Sequence, residues 1–264
     1  MGWLHNRWLT SLLSHHQHSS KQSGRTPANQ HFIFSHFACI FRKACSKIRE
    51  SLYGIKCATN VDGKPLFGTG TGFLVAPGVV VTASHVIHHQ GDWRKPIHAD
   101  LKVIRAPEVG GQMKPAKLIA NFPSKDLAFL RIETDSNVPA VELDDSPRVR
   151  GEAVGALGFP LSTMKRFRQQ HAFVLIERFQ SGYISAMYRQ NRGGTPLNII
   201  ETDTNIYSGS SGCPGFDADG KVFGLLSATK TDRQQKGEAY RLAIAMWIPS
   251  NEILEAGKKC GIWS

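Results

Sequence analysis

An all-β fold, a barrel or sandwich followed by one terminal helix, is what the order of residues predicts, and three observations carry the prediction. From residue 52 onward the chain divides into short runs rich in β-branched residues, separated by turn-forming Gly, Pro, Asn and Asp. The apolar run 72–75 meets the run 79–83 across Ala76-Pro77-Gly78, a turn signal that makes the two a hairpin. One segment near the end, 250–259, has helix boundaries, with Ser250 as the cap and Gly261 as the stop.

Residues 1–30 are polar, contain His and Ser, and have no periodicity, which predicts a disordered arm. Residues 31–41 are aromatic and apolar, and the basic Arg42-Lys43-Ala44-Cys45-Ser46-Lys47-Ile48-Arg49 that follows fits a short amphipathic helix. Residues 1–50 hold seven Lys or Arg against a single acid, Glu50, so much of the chain's formal +11 charge lies there. The basic residues follow the apolar run, the reverse of a secretory signal. A disordered arm, an import segment and a wrongly assigned start all remain open. Residues 1–50 are therefore set aside as a basic tail, and 51–264 as the folded unit. Further strands are expected at 117–121, 127–132, 153–157, 182–186, 197–201, 222–228 and 242–248.

Composition narrows the classes. The 264 residues are 41% hydrophobic and 20% charged, as in a soluble globular protein. No stretch reaches the roughly 18 apolar residues of a membrane span, so no integral membrane segment is expected. Cys39, Cys45, Cys57, Cys213 and Cys260 are odd in number and irregularly spaced, which argues against a disulfide framework. With no secretory pattern, this points to the cytoplasm without fixing the compartment. His15, His16 and His18 lack a second cluster, so no metal ligand set is expected. No nucleic-acid partner is expected either, because the basic charge is not interleaved with stacking aromatics. Oligomeric state is not legible.

Three segments carry chemistry. Gly209-Ser210-Ser211-Gly212-Cys213-Pro214 is a tight loop in which glycines let backbone N–H groups converge beside a serine hydroxyl. Val79-Val80-Val81-Thr82-Ala83-Ser84-His85 runs a β-branched strand into a histidine, and Lys125-Asp126-Leu127-Ala128-Phe129-Leu130 opens an apolar run with an aspartate. A serine hydroxyl needs a base to become a nucleophile, and the base needs an anion to fix its tautomer. His85 and Ser211 are far apart in sequence, so only the fold can bring them together.

These segments resemble those of the trypsin-like (chymotrypsin-fold) serine proteases, with closer similarity to the high-temperature-requirement branch. The further matches are Gly68-Thr69-Gly70-Thr71-Gly72-Phe73-Leu74-Val75, Gly151-Glu152-Ala153-Val154 leading to Gly158-Phe159-Pro160, Glu201-Thr202-Asp203-Thr204-Asn205-Ile206, and Ala245-Met246-Trp247-Ile248-Pro249-Ser250-Asn251. The resemblance covers roughly residues 52–258. It implies two six-stranded β-barrels of the chymotrypsin/trypsin-like fold, about 51–145 and 146–264, divided in the polar stretch 143–150 and closed by a short C-terminal helix. The active site would lie in the cleft between the barrels, and no peptide-binding C-terminal domain would follow.

The implied activity is that of a serine endopeptidase acting on polypeptide substrates through an acyl-enzyme, without metal or organic cofactor. His85 would be the base, Asp126 its orienting carboxylate and Ser211 the nucleophile, with the N–H groups of Gly209 and Ser211 as the oxyanion hole. Ser210 is the alternative nucleophile if the loop is shifted by one residue. His88 and His89 are expected to be exposed, and Asp92 and Asp100 to lie in a polar loop. The alternative activity is that of an inactive trypsin-like fold binding peptides or proteins. The resemblance also places Asn205 at the base of the substrate pocket and Ser227 and Thr229 along its wall. Because Asn205 is uncharged, cleavage after small or medium apolar residues is expected. Two departures stand out. Cys213 occupies a position where most relatives have glycine. Ser210 replaces an aspartate that pairs with a newly cut N-terminus in zymogen-activated relatives, so activation by N-terminal cleavage is not expected.

Overall fold

The structure, a computed structural model of the chain, describes residues 40–133, 137–167, 170–233 and 239–263. The first 39 residues of the basic tail lie outside the described residues. Six antiparallel strands, β1 (Leu52–Val61), β2 (Lys64–Ala76), β3 (Val79–Thr82), β4 (Asp100–Arg105), β5 (Lys114–Phe122) and β6 (Leu127–Ile132), close a barrel in the order β1-β2-β3-β6-β5-β4. Both faces of these strands are buried along much of their length, with Leu74, Val80 and Leu130 in register on one face and Phe73, Val81 and Phe129 on the other. The expected hairpin joins β2 to β3, and Gly78 takes the left-handed conformation (φ +67) that its turn requires. The carbonyl of Gly78 accepts from Ile132 N–H at 2.9 Å, tying the turn to β6.

The second sheet contains β7 (Glu142–Leu143), β8 (Ala153–Gly158), β11 (Arg178–Arg192), β12 (Thr195–Thr202), β13 (Pro214–Phe216), β14 (Lys221–Arg233) and β15 (Ala239–Pro249). Between β8 and β11, β9 (Thr163–Phe167) and β10 (Gln170–Val174) form a separate hairpin. Because β13 pairs with both β8 and β14, six strands of this sheet close on themselves, and β7 joins β14 in parallel. Trp247 and Phe223 meet edge-to-face in its core at 5.4 Å, and the Trp247 indole N–H donates to Thr202 Oγ1 at 2.9 Å. Glu142 and Leu143, at the start of the polar stretch 143–150, pair with β14.

Three helices complete the described residues: α1 (Arg42–Glu50), the single turn α2 (Ser84–Ile87) and α3 (Ser250–Lys259). No helix among the described residues is long and apolar enough to cross a membrane. Ser250 does not cap α3. Its hydroxyl is fully buried and donates to the Val222 carbonyl at 2.6 Å, so it joins the helix to β14.

The boundary at residue 50 moves. Helix α1 places Phe41, Ala44 and Ile48 on one buried face, at helical spacing, while its basic residues face outward. Phe41 packs on Phe179 of β11 at 5.5 Å and on Phe216 of β13 at 6.2 Å. Arg49 bridges the two halves, its Nε donating to Glu177 at 2.9 Å and its Nη2 to the Ala106 carbonyl at 3.3 Å. The amphipathic helix expected at 42–49 is present, and its three well-spaced apolar residues make it part of the packed unit rather than of the basic tail. A chain starting at Ser51 should therefore melt well below one starting at Cys39. Loss of the Phe41 and Ile48 packing alone should cost several kcal/mol, on the order of 2–5 per side chain. Thermal melting of the two truncated chains checks this, and equal melting temperatures would contradict it.

Candidate active site

Strand β3 delivers its last residues directly into α2, so His85 stands one turn beyond the barrel wall. The turn is held by a chain of side chains. Ser84 Oγ donates to Asn121 Oδ1 at 2.7 Å, Asn121 Nδ2 donates to His88 Nε2 at 2.9 Å, and His88 Nδ1 donates to the Lys95 carbonyl at 2.6 Å. His88, expected to be exposed, is thus buried and occupied in structure.

Asp126 follows a 3-10 turn, Pro123–Lys125, and adopts the left-handed conformation at φ 54. A non-glycine residue there costs about 1 kcal/mol or more and persists only when its surroundings fix it. The fixing contacts are on both sides. Its carbonyl accepts from Ser84 N–H at 3.1 Å, and its Oδ1 accepts from His85 N–H at 3.0 Å. The imidazole Nδ1 of His85 lies 3.1 and 3.0 Å from the two carboxylate oxygens, and Ser227 Oγ donates to Oδ2 at 2.5 Å. Burial works to raise the pKa of this carboxyl. The imidazole charge and the hydrogen bonds from His85 and Ser227 outweigh it and hold the group below the usual carboxylate range. With Asp126 ionised, Nδ1 of His85 carries the proton and Nε2 is left as an acceptor.

Lys125, the residue before Asp126, is buried and donates to Glu252 Oε2 and Glu255 Oε2, both at 2.6 Å. Glu252 Oε1 in turn accepts from Asn198 N–H at 3.4 Å and from its Nδ2 at 3.3 Å. The turn carrying Asp126 is therefore tied to α3 and, through Glu252, to β12 of the second sheet.

The serine loop is bound to the first barrel through Thr71 of β2. Thr71 N–H donates to the Ser211 carbonyl at 2.9 Å, its hydroxyl donates to the Gly209 carbonyl at 2.9 Å, and the same hydroxyl accepts from Phe159 N–H at 3.0 Å. Gly212 (φ +84) makes this docking possible, since a Cβ there would lie 2.1 Å from the Thr71 carbonyl oxygen. Within the loop, Ser210 N–H donates to Tyr207, Gly212 N–H to Leu226 and Cys213 N–H to Ser210. The N–H groups of Gly209 and Ser211 have no acceptor among the described residues. Cys213 is outside the left-handed region, buried against Gly158, and its thiol pKa is pushed up by that burial. It is an inert packing group. Ser210 is buried, and only Ser211 of the two serines lines the cleft.

His85, Asp126 and Ser211 all line one cleft of about 640 Å³. Ser227 and Thr229 line it too, together with Ile206, Tyr207, Ala228, Trp93 and Arg192. Asn205 is not part of the lining. Its amide donates to Tyr207 Oη at 2.9 Å on the exposed side of the loop, and the neighbouring Ile206 turns inward instead. Asp203 also turns away, accepting from Tyr183 N–H at 2.6 Å. Thr71, Lys125 and Arg192 were not singled out as site residues from sequence. Thr71 alone had a signal, the alternating glycines around it. Among the described residues no three metal-ligating side chains converge.

The Lys125 tie makes a pH-dependent prediction. Its ammonium is pushed down by burial, but the bonds to Glu252 and Glu255 outweigh this and hold its pKa above the usual value. The Glu255 pKa is lowered to about 2, first by the bond from Lys125 and then by that from Lys259. A depressed carboxyl stabilises the fold above its unfolded pKa of about 4.3, and that contribution is lost as pH falls toward about 2. Lys125→Met should cost about 3 kcal/mol at pH 6, because it strands buried Glu252. The difference from the parent should narrow steadily below about pH 4. Urea unfolding at pH 6 and pH 3 measures both, and a constant difference would refute the assignment.

Comparison with known proteins adds the following. The family described as Trypsin-like peptidase domain matches residues 70–225. The mitochondrial serine protease HTRA2 of Bos taurus is 32% identical over 203 residues, covering 74% of this chain and 37% of that protein. A probable periplasmic serine endoprotease, DegP-like, of Rickettsia conorii is 32% identical over 200 residues, 73% of this chain and 34% of that one. The chain thus spans little more than a third of the length of these curated relatives. The crystal structure of the Rv3671c protease from M. tuberculosis in its active form superposes with a TM-score of 0.63 at 18% identity, covering 92% of this chain and 94% of the other. That likeness concerns the fold, which is the chymotrypsin-like arrangement.

Proposed function

The chain belongs to the trypsin-like peptidase family, and on that premise we propose that it is a serine endopeptidase in which Ser211 is the nucleophile, His85 the base and Asp126 its partner. The observation that carries the reading is the His85–Asp126 pair, buried on one side and open to the cleft on the other, with Ser211 lining the same cleft. Ser211 Oγ attacks the carbonyl carbon of the scissile bond, and His85 Nε2 takes the hydroxyl proton. The oxyanion that forms is held by the N–H groups of Gly209 and Ser211. Each such donor contributes about 3 kcal/mol in related sites. His85 then returns its proton to the leaving amine, an ester to Ser211 remains, and water activated by the same imidazole hydrolyses it.

Substrate binding follows from an open strand edge. Strand β14 pairs with β13 only as far as Leu225, and the N–H of Gly212 takes the carbonyl of Leu226. From Ser227 to Thr229 this edge has no strand partner among the described residues, so an extended peptide can add to it as a further strand. Ile206 and Ala228 offer an uncharged surface for the side chain before the scissile bond. The one carboxylate in the lining, Asp126, is occupied by His85 and Ser227. This supports cleavage after small or medium apolar residues, since a desolvated Lys or Arg would have no counter-charge.

A fluorophosphonate probe should label the parent chain at Ser211 and leave Ser211→Ala unlabelled. Peptidase activity should fall on the order of 10⁴-fold or more in Ser211→Ala and about 10⁴-fold in Asp126→Asn, while Ser210→Ala should be much milder. Absence of labelling in the folded parent chain would favour a peptide-binding role instead, and a larger loss at Ser210 would move the nucleophile by one residue.

A further inference from the structure

We propose that Arg192 is a specificity-determining residue that selects peptides carrying an acidic side chain a few residues from the scissile bond, an inference that rests on the peptidase reading above. Arg192 is the last residue of β11, and its backbone is fixed by pairing with Thr195 across the two-residue turn Gly193-Gly194. Both glycines have positive φ (+56 and +84), the requirement of a tight hairpin turn that matches strand twist. The hairpin is further anchored through Asn198 to Glu252, and through Glu252 to Lys125 beside Asp126. The same network that fixes the candidate catalytic carboxylate therefore fixes the wall from which Arg192 projects.

The charge balance of the cleft singles out this side chain. Arg192 is the only Lys or Arg among the described residues of the lining. It makes no hydrogen bond or ion pair with any described residue, whereas the neighbouring cation Lys230 is neutralised by Glu201 at 2.6 Å. The one carboxylate of the lining, Asp126, is buried and accepts from His85 and Ser227, so it cannot serve as a counter-ion. A half-buried guanidinium at a peptide cleft, with no carboxylate partner among the described residues, is matched by a carboxylate of the peptide, which it can hold through two parallel N–H donors. A substrate lysine or arginine at the same place meets like charge. The polar neighbours Tyr207 and Thr229 continue the cleft without adding charge.

The test uses the full chain and fluorogenic peptides that share one apolar cleavage site and differ only by Glu, Gln or Lys, scanned through four positions on either side. At one position or two adjacent ones, kcat/KM should be about fivefold higher for Glu than for Gln, the upper range of a partly exposed ion pair, and lower again for Lys. Raising the ionic strength from 0.05 to 0.5 M should compress the Glu/Gln ratio toward one, as added salt screens the pair. In Arg192→Gln the ratio should approach one, and in Arg192→Glu the order should invert to favour Lys. These are ratios within one enzyme, so a general loss of activity does not alter them, and the ratio in the parent chain with its salt dependence needs no variant. Glu/Gln ratios within twofold of one at every position, or a preference that persists in Arg192→Gln, would overturn the proposal while leaving the peptidase reading intact. Failure to cut any peptide, together with failure of the fluorophosphonate to label, would overturn both.

Discussion

Docking of the serine loop against Thr71 is the contact on which the remaining geometry depends. Thr71 is fully buried in β2, yet all three of its polar groups are used across or beside the cleft. Its N–H and hydroxyl take the carbonyls of Ser211 and Gly209, the hydroxyl also receives Phe159 N–H, and its own carbonyl accepts from Thr82 Oγ1 at 2.7 Å. Breaking any of these would strand a buried backbone group, at about 1–3 kcal/mol each. The Gly209 and Ser211 N–H groups share peptide planes with the Ser208 and Ser210 carbonyls, which accept from Leu161 N–H at 2.6 Å and Cys213 N–H at 2.9 Å. With those planes held, the N–H groups of Gly209 and Ser211 have no acceptor among the described residues. The absence of a side chain at Gly212 is the other half of the same constraint.

A second tie works at the opposite wall. Lys125 sits among Glu252 and Glu255 of α3, and Glu252 reaches Asn198 of β12. A buried ion pair of this kind contributes little net stability compared with apolar packing, because desolvating both charges offsets their attraction. Its effect is geometric. It fixes the turn that places Asp126 in a left-handed conformation, and it anchors the hairpin whose tip carries Arg192. The two walls of the cleft are therefore each held by hydrogen bonds that run between the first barrel and the second sheet. Helix α1 adds a third connection on the outside, with Phe41 against the second sheet and Arg49 reaching the Ala106 carbonyl of the first barrel.

Much of the fold was legible because strands declare themselves by β-branched runs and turns by Pro-Gly. The run 127–132 coincides with β6, and 79–83, 153–157 and 197–201 fall on β3, β8 and β12 to within a residue or a few. Strands β1, β4, β7, β9, β10 and β13 are not among the runs the sequence singles out; in β1 and β4 a lysine, Lys56 or Lys102, interrupts the apolar pattern, and β7 and β13 are only two and three residues long. Helix α1 is legible as an amphipathic helix but not as part of the packed unit, because its apolar face is only three residues wide and its sequence is dominated by basic charge. Ser250 has the look of a helix cap, but the cap position falls on Pro249, and the Ser250 hydroxyl, already inside the helix, donates to the Val222 carbonyl.

What the sequence by itself determined is the set of local features: strand runs, the glycine-framed serine loop, and a histidine and an aspartate each at the edge of a strand. These follow from properties of neighbouring residues, such as β-branching, turn preference and the freedom of glycine at positive φ. The tertiary structure decided everything that depends on residues distant in the chain meeting in space. It alone joined Ser227 to Asp126, set Lys125 between two glutamates, turned Ile206 inward in place of Asn205, and set Arg192 in the cleft wall with no ion-pair partner among the described residues. No local pattern encodes those outcomes, because the direction of a side chain at a loop or hairpin tip is set by packing between sheets, and a charge is paired or unpaired only according to what the folded chain brings beside it.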